Sequence, residues 1–239
     1  MRLKRAIDLT VGSLLTLAAL PLLVVLAVGC AVSLRSWPLF VQRRVGRNGR
    51  QFAFPKLRTL PKSAPVAVDK YALNGTPIPR FCRFLRRTHL DELPQLLLVP
   101  IGVMSLVGPR PEMTALLPRY TAEFVHARTR VRPGCTGLWQ LSAASNRLIY
   151  EAPEYDLAYL DGSGGLLDLW ILYRTVCSWL PGASPVDLDD VPDWAWGRGV
   201  PHPSPRQELD TGTRLRRTPS WPLPATVEPS RLAESADHH

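Results

Sequence analysis

The sequence predicts an α+β protein, mostly helical, with a re-entrant membrane helix hairpin, amphipathic interfacial helices and a small β-hairpin. Three observations predict it. No charged residue occurs from Leu9 to Leu34, and Pro21 lies near the middle of that run. Two strand-like stretches then flank a turn signal. Beyond them, several segments carry apolar residues at helical spacing. The chain divides accordingly into a membrane helix (1–34), a membrane-associated cytoplasmic domain (35–180) and a Pro-rich tail (181–239).

The apolar run is 26 residues long, enough to cross a bilayer once. A signal peptide would have a shorter apolar core and a small-residue cleavage site. Pro21 removes a backbone donor and clashes with the preceding turn, which predicts a helix break there. Each half would then span about 20 Å, short of the roughly 30 Å hydrocarbon layer. Arg2, Lys4 and Arg5 precede the run, and Arg35, Arg43, Arg44, Arg47 and Arg50 follow it. The positive-inside rule places both sets on the cytoplasmic side, which a hairpin permits and a single span does not. Because proline also occurs in ordinary spans, these features leave span and hairpin both open.

Phe40-Val41-Gln42 and Gln51-Phe52-Ala53-Phe54 read as strands joined through Gly46-Arg47-Asn48-Gly49. Residues 61–79 read as a loop. Arg80–Arg87 reads as a helix with Phe81, Phe84 and Leu85 on one face, suited either to an anionic membrane surface or to a soluble core. Leu93–Val99 reads as a short apolar helix and Pro111–Thr129 as a longer amphipathic one ended by Arg132-Pro133-Gly134. Tyr155–Leu160 and Leu166–Leu180 are further helical segments. After Leu180, ten of the last 59 residues are Pro and apolar periodicity is lost, which predicts disorder with a local clasp around Trp194 and Trp196.

Charge narrows the function classes. The chain carries 29 Lys+Arg against 20 Asp+Glu, a net +9. Residues 1–60 hold 10 basic residues and 1 acidic, whereas residues 181–239 hold 6 and 9. That asymmetry disfavours a nucleic-acid binder. Cys30, Cys82, Cys135 and Cys177 stand about fifty residues apart and form no zinc motif or secreted disulfide framework.

The candidate chemistry lies in Arg86-Arg87-Thr88-His89-Leu90-Asp91-Glu92-Leu93-Pro94-Gln95. Thr88-x-x-Asp91 resembles a capping box, and acids favour helix N-termini, so Asp91 and Glu92 have a purely structural explanation. The other explanation comes from Lys56, Arg58, Arg86 and Arg110, the last fixed between Pro109 and Pro111. Cations converging on two acids suit a phosphorylated substrate with a divalent metal. Arg forks match phosphate oxygens, and a carboxylate can hold magnesium or attack phosphorus.

These residues belong to longer strings. Phe40-x-Gln42-x-Arg44-Val45-Gly46-x-Asn48-Gly49, Lys56-Leu57-Arg58-Thr59, Leu85-Arg86-Arg87-Thr88-x-x-Asp91-Glu92-Leu93-Pro94-Gln95, Met104 to Pro111, Arg132-Pro133-Gly134-x-Thr136-Gly137-Leu138-x-Gln140 and Asp156-x-x-Tyr159 occur in this order. With Lys4-Arg5-x-x-Asp8 before them, they make the chain similar to the bacterial sugar transferases that are monotopic phosphoglycosyl transferases. The resemblance covers about seven-tenths of the chain. It implies transfer of a sugar 1-phosphate from a nucleotide sugar, usually UDP-linked, to polyprenyl phosphate at the cytoplasmic membrane face, with Mg2+. It favours the hairpin, broken at Pro21. It makes Asp91 the covalent nucleophile, with Asp91 and Glu92 at the metal, and has Lys56, Arg58, Arg86 and Arg110 neutralise phosphates. Membrane lipid and the glycosyltransferases of later steps are the implied partners. A non-catalytic membrane adaptor with a partner-recruiting tail is the alternative.

The chain departs from the family pattern at several points. Leu20 stands where Ser is common before the proline, Val103 replaces an Asp, and Leu57 and Leu60 replace Phe and Met. After Gln140, Ser142-Ala143-Ala144 stands where Asn-Gly-Arg is usual, and Arg147 is the nearest downstream Arg. Gln140 and Arg147 are therefore the candidate substrate contacts whose sugar preference is open.

Overall fold

The structure, a computed structural model, describes residues 2–62, 64 and 77–196. Its first element, α1 (Arg2–Leu34), is an uninterrupted helix that includes Pro21. The break expected at Pro21 therefore does not appear as two separate helices: helical backbone continues through the proline. From Leu3 to Leu34 the helix is long and apolar enough to cross a membrane, and little of it is buried.

Both ends of α1 nevertheless lie on the same body. Lys4 donates to the Val107 carbonyl (3.0 Å), the Tyr159 hydroxyl (3.2 Å) and Asp168 (2.5 Å). Arg5 donates to the carbonyls of Val99 (2.8 Å) and Pro100 (2.7 Å). Buried Asp8 accepts from the Ser105 hydroxyl and the Leu106 N–H. Toward the other end, Leu26 and Cys30 pack with Leu57 and Leu85. Lys4 and Arg5, expected as cytoplasmic cations before the apolar run, are turned inward, where backbone carbonyls and a carboxylate satisfy them.

The predicted hairpin forms. Strands β1 (Leu39–Val45) and β2 (Gln51–Leu57) pair antiparallel, with Leu39 opposite Leu57 and Val45 opposite Gln51. The turn needs two left-handed residues, supplied by Asn48 (φ 57°) and Gly49 (φ 72°), types that tolerate that conformation. Helix α2 (Arg80–Arg87) buries Cys82 and Leu85 against α1 and leaves Phe84 outward. Leu85 and Phe84 therefore do not share a buried face. A 3-10 helix follows over Leu90–Leu98, slightly earlier and tighter than the short helix expected, with Pro94 inside it.

Strand β3 (Ser105–Val107) pairs parallel with β5 (Gly134–Thr136), and β4 (Glu112–Met113) adds to the free edge of β1. A side chain at Gly134 would collide with the Gly108 backbone at 2.1 Å, so this close approach requires glycine. The single helix expected over Pro111–Thr129 is not observed. Glu112–Met113 is extended, Thr114–Arg119 is 3-10, and α3 runs Ala122–Thr129. Pro118 withholds a donor, and the Thr121 hydroxyl accepts from the Phe124 N–H to begin a new helix.

Helices α4 (Leu138–Leu141), α5 (Glu154–Gly162) and α6 (Gly165–Cys177) complete the body. The main core joins Phe54, Met104, Leu106, Leu138, Tyr159 and Ile171. Val186, Leu188, Val191, Ala195 and Trp196 belong to it as well. Residues 181–196 are therefore not the disordered start of a tail. Their apolar residues are too widely spaced to show periodicity, yet they pack as an extended clasp, and Val186 N–H donates to the Leu141 carbonyl (2.9 Å). Residues 197–239 lie outside the described residues.

Candidate functional site

Four pieces of chain bring the candidate residues together: the end of β2, the last turn of α2, the 3-10 helix Leu90–Leu98, and the loop between β3 and β4. Asp91 and Glu92 occupy the first turn of the 3-10 helix. Its preceding residue, His89, is left-handed (φ 57°) and offers no side-chain cap. The Thr88 hydroxyl instead turns back to the Phe84 carbonyl (2.9 Å). The capping box that would have given Asp91 a structural role is not formed. His89 holds a backbone conformation uncommon for residues with a side chain, and such residues concentrate at functional sites.

The two acids have different surroundings. Glu92 is gripped by Arg110: Nη1 donates to Oε2 (2.9 Å) and Nη2 to Oε1. Burial works to raise the Glu92 carboxyl, but this two-point pairing prevails and holds it well below the usual carboxylate range. Arg110 is likewise held more firmly cationic by Glu92, against the effect of burial. Asp91 is buried to 6% exposure and takes part in no hydrogen bond or ion pair among the described residues. Burial and the neighbouring Glu92 push its carboxyl up, while Lys56, Arg86 and His89 pull it down.

Lys56 is therefore close enough to feel both acids, and burial lowers its ammonium. It lies over the Phe40 ring at 5.4 Å from the centroid. Arg86 approaches the Thr59 hydroxyl at 3.4 Å. Arg58 lies over the same Phe40 ring (5.5 Å) but donates to the Trp37 carbonyl (3.1 Å), so in this conformation its guanidinium is committed to backbone.

Gln140 sits on α4 beside Gly137, whose backbone touches Gly108, two residues from Arg110. Both ends of its buried side-chain amide lack a hydrogen-bond partner among the described residues, a cost that a ligand could relieve. Arg147 is exposed and belongs to the surroundings of Tyr155, alongside Asp187 and Ser142. The structure thus groups Asp91, Glu92, Lys56, Arg86 and Arg110, brings Gln140 to the flank, and leaves Arg58 on a backbone carbonyl and Arg147 near Tyr155.

Two buried residues near Arg110 carried a different expectation or none. Arg44, expected among the cytoplasmic cations after the apolar run, is 8% exposed and donates to the Pro111 carbonyl (2.9 Å). Burial and the like charge of Arg110 lower it to about 10. Gln95 is 2% exposed and helps to hold the Glu92 carboxyl down. It follows Glu92 by three residues, the spacing at which 3-10 side chains eclipse. That spacing was the available sequence signal.

Magnesium needs one or two carboxylates plus substrate oxygens rather than a full protein cage. The donor set fits that demand. Asp91 has an uncommitted carboxylate, and Glu92 retains lone pairs beyond the two that Arg110 uses. Among the described residues no cluster of three or more acidic, His or Cys side chains could hold a metal alone.

Comparison with known proteins identifies the family of the chain. Residues 1–182 match the family described as bacterial sugar transferase. A UDP-galactose-lipid carrier transferase of Erwinia amylovora is 37% identical over 191 residues, 73% of this chain and 39% of its own length. A UDP-glucose:undecaprenyl-phosphate glucose-1-phosphate transferase of Caulobacter vibrioides is 37% identical over 185 residues, covering 74% of this chain and 69% of that protein. An exopolysaccharide production protein of Sinorhizobium fredii is 34% identical over 192 residues, covering 72% and 83%. The chain spans about two-fifths of several longer relatives, including the Erwinia protein.

Proposed function

The chain belongs to the bacterial sugar transferase family, and from that premise we propose that it transfers a sugar 1-phosphate from a UDP-sugar to polyprenyl phosphate. The reaction would start a lipid-linked glycan at the cytoplasmic face of the cell membrane, and glycosyltransferases of later steps would consume the product. The observation that carries this reading is the unequal pair: Glu92 is locked to Arg110, while buried Asp91 has no hydrogen-bonding partner among the described residues. A carboxylate deprived of hydrogen bonds is a stronger nucleophile than a solvated one.

In the first step an Asp91 oxygen attacks the sugar-bearing phosphorus. The bond from that phosphorus to the bridging oxygen breaks, and UMP leaves with the electron pair. In the second, a polyprenyl phosphate oxygen attacks the same phosphorus, and the acyl-phosphate bond breaks to return the Asp91 carboxylate. Splitting one displacement into two is the usual logic of covalent catalysis. Lys56, Arg86 and Arg110 neutralise phosphate oxygens, and Arg58 would have to swing from the Trp37 carbonyl to join them. Asp91 and Glu92 would hold magnesium, which when bound offsets charge on the diphosphate. Gln140 contacts the substrate from the flank.

Membrane association draws support from α1 and from the exposed α6 stripe Leu166, Leu169, Tyr173 and Val176, which suits an interfacial helix. Contacts at both ends of α1 with one body support a re-entrant rather than a crossing path. The test is a screen of UDP-sugars with magnesium and polyprenyl phosphate, reading UMP release and lipid-linked sugar. Release in the wild type and none from Asp91→Asn is the expected result. Folded wild type that releases UMP from no nucleotide sugar would favour the adaptor alternative.

A further inference from the structure

Arg110 stands between two prolines, and neither Pro109 nor Pro111 has an N–H with which to tie this loop to a neighbour. The Pro109 carbonyl accepts from the Gly134 N–H (2.9 Å), and side chains from other elements hold the two carbonyls that follow. Arg128 of α3 is 6% exposed, and its Nη2 donates to the Arg110 carbonyl (2.5 Å). Arg44 of β1 donates through Nη1 to the very next carbonyl, that of Pro111 (2.9 Å). Two buried guanidinium groups therefore grip successive carbonyls of the loop that carries the Glu92 partner.

Each of these cations has its own provision for burial. Arg128 pairs with buried Asp156 at 2.9 Å, and Arg44 lies 3.7 Å from buried Glu112. Tyr120 in turn donates its hydroxyl to Glu112. Aromatic faces complete the surroundings: Arg128 lies over Tyr120 (5.6 Å) and Phe124 (5.5 Å), and Arg44 over Phe54 (5.1 Å). A buried charge is costly unless paired. An ion pair alone would also need no bond to the loop, whereas here both cations reach it.

We propose that Arg44 and Arg128 are positioning residues: they fix the Arg110 backbone so that its guanidinium meets Glu92 and the substrate phosphate. This rests on the phosphotransfer reading above. Neither residue touches substrate, and both act through Arg110. Asp156 and Glu112 keep the two cations charged and aimed.

The test replaces the Arg128–Asp156 pair by apolar residues, Arg128→Met with Asp156→Leu. Such exchanges of a buried ion pair are often neutral for stability, but the Arg110 carbonyl loses its donor. UMP release by full-length protein in membranes should fall about 100-fold, the scale expected for a misplaced catalytic group. In an Arg110→Ala background the same exchange should cost less than about threefold more, because coupled residues are non-additive. A purely structural role would instead multiply the two losses. Full activity in the exchanged protein, or independent losses, would overturn the inference while leaving the phosphotransfer reading intact. Wild type inactive toward every UDP-sugar would overturn both. If the exchanged protein does not fold, Arg128→Lys enters the same cycle. It keeps the charge opposite Asp156 but lacks the second arm of the fork, and the same two outcomes decide.

Discussion

Arg110 and Glu92, 18 residues apart, meet through two guanidinium nitrogens and both carboxylate oxygens. The pairing has a consequence for acid stability. Burial alone would raise the Glu92 carboxyl, and Arg110 overcomes it. A folded-state value below the unfolded one, about 4.3 for Glu, gives stability that is present above that value and lost as pH falls through the folded value. In Arg110→Gln, burial is opposed only by the weaker influences of Gln95 and Lys56. The loss of stability on acidification through the unfolded value should therefore shrink or reverse in Arg110→Gln. Removing one partner of this part-buried pair should also lower stability at neutral pH. Thermal unfolding in detergent from pH 3 to 7 measures both, and an unmoved acid limb would contradict the account.

Asp91 gives the opposite sign. Burial and Glu92 raise its carboxyl, despite the nearby cations. Its contribution is fully present below the unfolded value, about 3.9, and is lost as pH rises through the folded value. Ionised Asp91 thus weakens the fold at neutral pH. Asp91→Asn should melt higher than wild type at pH 7 in magnesium-free buffer, with the gap closing toward pH 3, while losing UMP release. A variant that is inactive but no more stable would mean that Asp91 is not held against its charge.

Much of this was legible in the sequence because the signals were local. The Asn48-Gly49 turn required left-handed residues and had them, so the hairpin was legible. Apolar spacing located α2, α5 and α6. Across Pro111–Thr129 the same spacing misled, because Pro118 and the Thr121 cap act on the backbone and leave no trace in apolar periodicity. The burial of Arg44 was hidden for a different reason. A cation beside a membrane segment satisfies the positive-inside rule whether it faces lipid or a buried carboxylate, and only the packing of β1 against β4 tells the two apart. The Arg110–Glu92 pair was within reach as a grouping but not as a bond, since nothing in the spacing says which cation takes which acid.

The clasp over residues 181–196 offers a contrast between two neighbouring tryptophans. Trp196 is 6% exposed and packs on Gly162, whereas Trp194 is 58% exposed. Trp196→Ala should cost about 3–5 kcal/mol, as for other buried tryptophans. Trp194→Ala should stay within about 0.5 kcal/mol. The family match ends at residue 182, so a large effect at 196 would extend the folded unit beyond it. Comparable losses at both positions would argue against the clasp. Chemical denaturation of the two variants side by side gives the answer.

The path of α1 can be read from thiol accessibility. Thr16 donates to the Leu96 carbonyl (3.0 Å), and a side chain at Gly12 would meet Val99, so the first half of the helix lies on the 3-10 segment. Leu26 and Cys30 lie on β2 and α2. A helix of this length that crossed the bilayer would carry its two ends about 45–50 Å apart along its axis, on opposite faces. A body packed along both halves requires the helix to return or lie shallow. Cysteines placed at residues 2 and 48, in a background with Cys30, Cys82, Cys135 and Cys177 changed to Ser or Ala, should both react with an impermeant thiol reagent in inside-out vesicles. Neither should react in right-side-out vesicles or intact spheroplasts. Labelling of one site in each preparation would establish a crossing helix and overturn the re-entrant reading. The contacts of Lys4, Arg5 and Asp8 with the body would then have to be absent in the membrane.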